Sequence, residues 1–125
     1  MPKTAADLVA EAKARTETLA PDQVAREVAQ GAVLVDLREP GELAEQGTIP
    51  GAVHAPRGML EFWADPTSPY HRPEFDPTQR VILHCASGGR SALAADTLKQ
   101  LGYQNVAHLD GGITAWKAAG RPVEG

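Results

Sequence analysis

Short, largely apolar runs separated by helical patterns constrain this chain more than any other feature. Ala32–Val35, Val81–Leu83 and Val106–Leu109 each hold only three or four residues, and Ala52–His54 is a weaker fourth. They are too short for buried helices and do not alternate as half-solvated strands do. They read as strands buried on both faces, which is the pattern of a parallel sheet. With helices between them, the chain reads as an α/β domain covered on both sides.

The helical patterns are punctuated. Thr4 with Asp7 three residues on fits a capping box, and Leu8, Val9, Ala12, Thr16 and Leu19 follow at helical spacing. This predicts an amphipathic helix over about residues 5–17. Pro21 suits the first turn of a second helix, with Val24, Ala25 and Val28 on one face and Gly31 at its end. Ser91–Leu101 carries Ala94, Leu98 and Leu101 in register and Gly102 as its C-terminal cap. A last helix spans about residues 113–119. Between Asp65 and Thr78 stand Pro66, Pro69, Pro73 and Pro77 without periodicity. That stretch reads as a long surface loop, and such loops in compact domains are often functional.

The 125 residues fit one domain, long enough to bury a core without staples. The net charge of −4 argues against a nucleic-acid binder, so any anion site has to be built locally. One cysteine excludes an internal disulfide. Met1–Leu8 lacks an apolar signal region and no run approaches a membrane span, so the expected location is the cytoplasm, with no membrane partner.

The chemistry is expected between the strand ending at His84 and the helix opening at Ser91. Ligands in open α/β sheets bind beyond the carboxyl ends of the strands. The link there is Cys85-Ala86-Ser87-Gly88-Gly89-Arg90. Its two glycines let the backbone curl, a curled loop aims N–H groups inward as an anion nest, and the helix behind adds its positive end. A free thiol has a pKa of about 8.5. Lowering it by ~2 units takes about 2.7 kcal/mol, whereas a helix dipole supplies ~0.3–1. Loop amides, and Arg90, are therefore expected to contribute. The bland alternative, an inert buried cysteine, fits a lone cysteine better than it fits this loop.

With these residues in place, the chain resembles the rhodanese domains. His84–Ser91 resembles their active loop, C-x-x-G-x-R. Val35-Asp36-Leu37-Arg38-Glu39 resembles their D-x-R segment, and Gly47-Thr48-Ile49-Pro50-Gly51-Ala52-Val53-His54 their G-x-I-P-G-A-x-H/N segment. Leu109–Trp116 resembles their closing G-G-x-x-x-W segment. The resemblance covers about Leu19 to Pro122, with all four segments in the family's order. It implies a three-layer α/β/α domain at residues 19–125 around a mostly parallel, five-stranded sheet, with residues 1–18 as a helical extension. It implies a sulfurtransferase in which Cys85 takes sulfur from thiosulfate or another sulfane donor as a persulfide. A thiol, cyanide or protein acceptor then removes it. Ala86, Ser87, Gly88, Gly89, Arg90 and Ser91 would line the substrate. Many thiosulfate-using relatives carry a basic residue just after the cysteine; here it is Ala86, which argues against a strong thiosulfate preference. A lone cysteine has no resolving partner, so its persulfide must leave by intermolecular transfer.

Other residues are placed less directly. Arg57 follows a strand end and is expected on the same rim as a substrate-binding cation. Asp36 and Arg38 are expected to give structural support. Alternation along the strand turns His84 away from Cys85. His54, His71 and His108 are scattered without metal-ligand spacing, so neither metal nor cofactor is expected. Phe62, Trp63 and Trp116 are expected in the core, Trp63 alone lying where a lid can form. Two other functions compete. Some phosphatases and arsenate reductases place five residues between cysteine and arginine, whereas four stand here. The other competitor is a sulfur carrier or regulatory module with little turnover.

Overall fold

The computed structural model describes residues 2–125; Met1, at the head of the predicted extension, lies outside the described residues. In chain order the elements are α1 Ala5–Arg15, β1 Glu17–Leu19, α2 Pro21–Ala29, β2 Val33–Asp36, α3 Pro40–Gln46, β3 Val53–His54, α4 Leu60–Ala64, β4 Val81–His84, α5 Gly89–Gln100, β5 Val106–Leu109 and α6 Gly112–Ala118. A single 3-10 turn, Arg57–Met59, leads into α4. The five strands form one sheet in the order β1-β5-β4-β2-β3, and every neighbouring pair is parallel.

Strand alternation sorts the apolar residues into two cores, one on each face. Val35 and Leu83 pack with Leu60, Phe75, Ala94 and Leu98, so α4 and α5 cover one face. Leu34, Ile82 and Leu109 pack with Val24, Ile113 and Trp116, so α2 and α6 cover the other. The chain thus leaves β4 onto one face and the adjacent β5 onto the opposite face. Their exit loops part above the carboxyl ends of these two strands, where such folds bind ligands.

Helix α1 is capped as its sequence predicts: Thr4 Oγ1 accepts from Asp7 N and the Asp7 carboxylate accepts from Thr4 N, both at 3.0 Å. It lies against α5, where the Arg15 guanidinium pairs with Asp96 at 2.6 Å. It ends at Arg15, two residues short of the predicted end. Glu17–Leu19 pairs instead with Ala107–Leu109 as an edge strand. Leu19 sits at helical spacing but is buried by the sheet, and the β-branched Thr16 and Thr18 suit extended backbone.

Three further features complete the fold. No helix was expected at Pro40–Gln46; Pro40 opens it, and the Glu42 carboxylate accepts from Glu39 N at 2.8 Å. Phe62, expected in the core, is 51% exposed, because the five-residue α4 buries only Leu60 and Ala64. The loop 65–78 is pinned by fully buried Phe75 and by turns in which the Asp65 and Asp76 carboxylates accept from Thr67 N and Thr78 N. Trp116 is buried with its Nε1 donating to Pro122 O at 2.8 Å, and Trp63 is half-buried beneath the Arg72 guanidinium, 3.9 Å from its ring centre. Among the described residues no helix is long and apolar enough to cross a membrane.

Candidate active site

Cys85 is the first residue beyond β4 and is buried. Its Sγ accepts a hydrogen bond from the Gly88 N–H at 3.1 Å. The bond needs the chain to turn back within three residues, and Gly88 does this at φ +110°, where a side chain is strained. Gly88 also caps α5: the helix's first backbone bond runs from Ala92 N to Gly88 O at 3.2 Å. The N–H groups of the first turn, Gly89 to Ser91, thus have no partner within the helix and face outward at its positive end.

Helix α6 fixes the other half of the loop. Ile113 N donates to Cys85 O at 2.9 Å and Thr114 N to Ala86 O at 3.2 Å. Both carbonyls are drawn onto α6. In trans peptides the N–H points opposite the C=O, so the Ala86 and Ser87 N–H groups point away from α6. This close approach needs glycine at 112: a Cβ there would overlap the carbonyl oxygens of both Cys85 and Ala86. The G-G pair in the closing segment is thus a contact surface for the cysteine loop.

The charged residues are arranged less simply than the sequence implies. Arg90 stands at the loop's end as expected, but its two terminal nitrogens each donate to a Glu42 carboxylate oxygen at 2.9 Å. This fork holds the Glu42 carboxyl down at about 2, helped by the Glu39 N–H. Arg57 donates to Glu61 at 2.8 Å and to Thr97 Oγ1 at 3.4 Å. Thr97 lies eight residues into α5, about 12 Å along the helix from its start.

Asp36 and Arg38 form a buried pair, 2.8 Å apart, and Arg38 also donates to Gly47 O at the end of α3. Burial alone would raise the Asp36 carboxyl; the Arg38 hydrogen bonds and the His84 imidazole outweigh it and hold the group below its usual range. His84 turns towards this pair, with Nε2 3.5 Å from Asp36, and its Nδ1 faces the Cys85 carbonyl and not the sulfur. Burial holds His84 below the usual histidine range. Among the described residues Arg38 Nη1 and His84 Nε2 are buried without a hydrogen-bond partner.

Sequence reasoning missed two parts of the site. Glu42 precedes Arg90 by 48 residues, and its only local signal is the cap it makes on Glu39. His108 shows no spacing to other histidines in the sequence; it is buried, with Nδ1 3.3 Å from Ser91 Oγ. Only the strand register, which brings β5 beside β4, connects it to the loop.

Comparison with known proteins identifies the family of the chain. The family model described as "Rhodanese-like domain" matches residues 20–119. A sulfurtransferase of Allochromatium vinosum is 38% identical over 91 residues, 73% of this chain and 77% of that protein. The solved structure of a Rhodopseudomonas palustris protein of unknown function, described as a possible tyrosine phosphatase, is 42% identical, with a TM-score of 0.90 and 99% of each chain covered. The polysulfide-sulfur transferase homodimer of Wolinella succinogenes is 28% identical at a TM-score of 0.76, over 92% of this chain and 82% of that one. By the family model and these relatives, the chain belongs to the rhodanese-like domain family.

Proposed function

We propose that this protein is a sulfurtransferase whose Cys85 carries sulfane sulfur as a persulfide. The observation that carries the reading is the 3.1 Å bond from Gly88 N–H to Cys85 Sγ, made in a loop that closes on the N-terminus of α5. A sulfur anion has a donor there before substrate arrives, and the loop needs no rearrangement to form it. The Cys85 thiolate attacks the outer sulfur of a donor such as thiosulfate. The Cys85 S–S bond forms, the donor S–S bond breaks, and its electron pair leaves with sulfite. A thiophilic acceptor then attacks the outer sulfur of the persulfide and regenerates the thiolate. One difficult transfer is thereby divided into two. The small sulfur-transferring relatives make donors of this chemical class the first to test.

The likeness to a protein described as a possible tyrosine phosphatase raises a second reading. Four residues separate Cys85 from Arg90, one fewer than in the cysteine phosphatases. The Arg90 fork, which would have to clamp a phosphate, rests on Glu42. Both observations favour a sulfur atom over a phosphate tetrahedron. We read the protein as cytoplasmic and residues 1–18 as an extension to the domain, with Glu17 and Thr18 at its end entering the sheet as part of β1.

The deciding experiment is intact mass after incubation with thiosulfate, polysulfide and a small persulfide. A gain of one sulfur atom, reversed by cyanide and missing in Cys85→Ser, supports the proposal. Aryl phosphate hydrolysis that depends on Cys85, without any sulfur gain, replaces it with the phosphatase reading.

A further inference from the structure

We propose that His108 is a positioning residue for the cysteine loop, acting through Ser91 on the peptide that joins Gly88 to Gly89. The inference rests on Cys85 being the reactive sulfur. His108, on β5, is fully buried, and both its ring nitrogens have partners: Ser91 Oγ at 3.3 Å from Nδ1 and Thr18 Oγ1 at 3.1 Å from Nε2. Ser91, also fully buried, sits in the first turn of α5, and its hydroxyl donates to Gly88 O at 3.2 Å.

Counting protons sets the direction of this chain of bonds. The Ser91 hydroxyl has one proton, and it is used on Gly88 O. Towards His108 the serine oxygen can only accept, so Nδ1 carries the hydrogen. Nε2 is then the acceptor, and Thr18 donates to it. This is a neutral imidazole in one tautomer, fixed by its neighbours. Burial, and the Lys13 ammonium on α1, both act against a charged ring, and Asp110 opposes them.

The relay ends on a peptide of the active loop. Gly88 O takes two donors from within α5, Ser91 Oγ and Ala92 N, both at 3.2 Å. Its carbonyl is therefore held pointing into the helix. The peptide is trans, so the Gly89 N–H points out of the helix N-terminus. The preceding N–H, of Gly88, is the one bonded to Cys85 Sγ. Without the serine bond the 88–89 peptide keeps only the ordinary helix bond and gains freedom to rotate at Gly88, whose lack of a Cβ offers little resistance. An apolar side chain at 108 would fill the same buried volume with no polar group to satisfy, but would leave Ser91 without its donor.

The test reads the iodoacetamide rate–pH profile, which reports one site because Cys85 is the only thiol. A looser turn at Gly88 is expected to weaken N–H donation to the sulfur anion and so to move the profile's midpoint upward by roughly half a unit to one unit. His108→Leu and Ser91→Ala should each do so, and the double variant should move it no further than one of them. His108→Asn places an amide N–H where Nδ1 stood and should restore the wild-type midpoint. Where His108→Leu does not fold, Ser91→Ala, which removes one oxygen, carries the test. An unchanged midpoint in folded Ser91→Ala overturns the proposal. So does a His108→Asn variant that regains thermal stability but not the midpoint, since that is the mark of a core residue only. Alkylation needs no sulfur donor, so this result stands apart from success or failure of sulfur transfer.

Discussion

Arg90 holds Glu42 through a two-point fork, each guanidinium nitrogen 2.9 Å from one carboxylate oxygen. The pair ties the first turn of α5 to α3 across 48 residues of sequence. It also means that the nearest sequence-adjacent cation to Cys85 is already paired. An anionic donor entering the loop has to share Arg90 with a carboxylate. Together with Ala86 in the position after the cysteine, this lowers the net positive charge available to a dianion such as thiosulfate.

Removing that carboxylate should therefore help thiosulfate. In Glu42→Gln the fork loses its charge and Arg90 keeps its own. The thiosulfate KM is expected to fall several-fold, while kinetics with an uncharged persulfide donor change less. Steady-state kinetics with both donors decide it; an equal change for the two would locate Glu42 in scaffolding alone.

The same pair makes stability depend on pH in a defined window. The Glu42 carboxyl is lowered from 4.5 to about 2 in the fold. A group depressed in the folded state stabilises above its unfolded value and loses that contribution as pH falls through its folded value. Wild type should thus exceed Glu42→Gln in stability at pH 6, by about 0.2–1 kcal/mol for a half-exposed pair. The gap should close between pH 5 and pH 2. Urea denaturation of both proteins across this range measures it, and a gap that widens towards low pH contradicts the assignment.

The surroundings of Asp36 and Arg38 make a steeper prediction. Arg38 is fully buried and bonds Asp36 and Gly47 O. Arg38→Met leaves the Asp36 charge buried without its partner, which costs about 3–5 kcal/mol. Asp36→Asn with Arg38→Met together should recover much of that loss, because neither charge is then stranded. Thermal unfolding of the single and double variants tests the coupling.

What the sequence conveyed depended on how local each signal was. The central strands are apolar runs with turns at their ends, and the cysteine loop is contiguous, so both were legible. β1 was not: three residues carry no period of their own, and pairing with β5 decides their state. Helix α3 is seven residues long and buries none of them fully, so no apolar stripe announces it. Glu42 and His108 act on the loop only through the tertiary arrangement. No spacing rule connects residue 42 to 90, or 108 to 91.

Gly112 should be the least replaceable glycine near the site. It has φ +58°, and a Cβ would overlap the Cys85 and Ala86 carbonyl oxygens. Gly112→Ala must either displace the loop or break the Ile113 and Thr114 bonds to it. Sulfur transfer is expected to fall at least tenfold, with stability lower by about 1–3 kcal/mol. Gly120→Ala, another positive-φ glycine with open space around it, should cost stability without touching transfer. Comparing the two separates backbone strain from loop displacement.

The last prediction separates the two arginines. Arg90 leaves the cysteine loop itself, and its charge is stabilised by Cys85 as well as by Glu42. An opposite charge at the loop's end favours a charged group beside it, so the cation is expected to help hold a sulfur anion. Arg57 lies at the carboxyl end of the sheet, with Arg57 N donating to Leu37 O at 3.0 Å. Its guanidinium is directed onto Glu61 and Thr97, along α5 and away from the helix start. It is paired and has no hydrogen-bonded route to the sulfur, so a role in gathering an anionic donor rests only on its place at the carboxyl end of the sheet. Arg90→Ala should shift the Cys85 alkylation profile towards higher pH and lower turnover. Arg57→Ala should raise the thiosulfate KM and leave the alkylation profile in place. One cation would then tune the nucleophile and the other gather substrate. The two measurements, alkylation rate against pH and thiosulfate kinetics, need only these single variants. If neither variant moves either quantity, charge at the site is carried by the loop amides and the helix terminus alone.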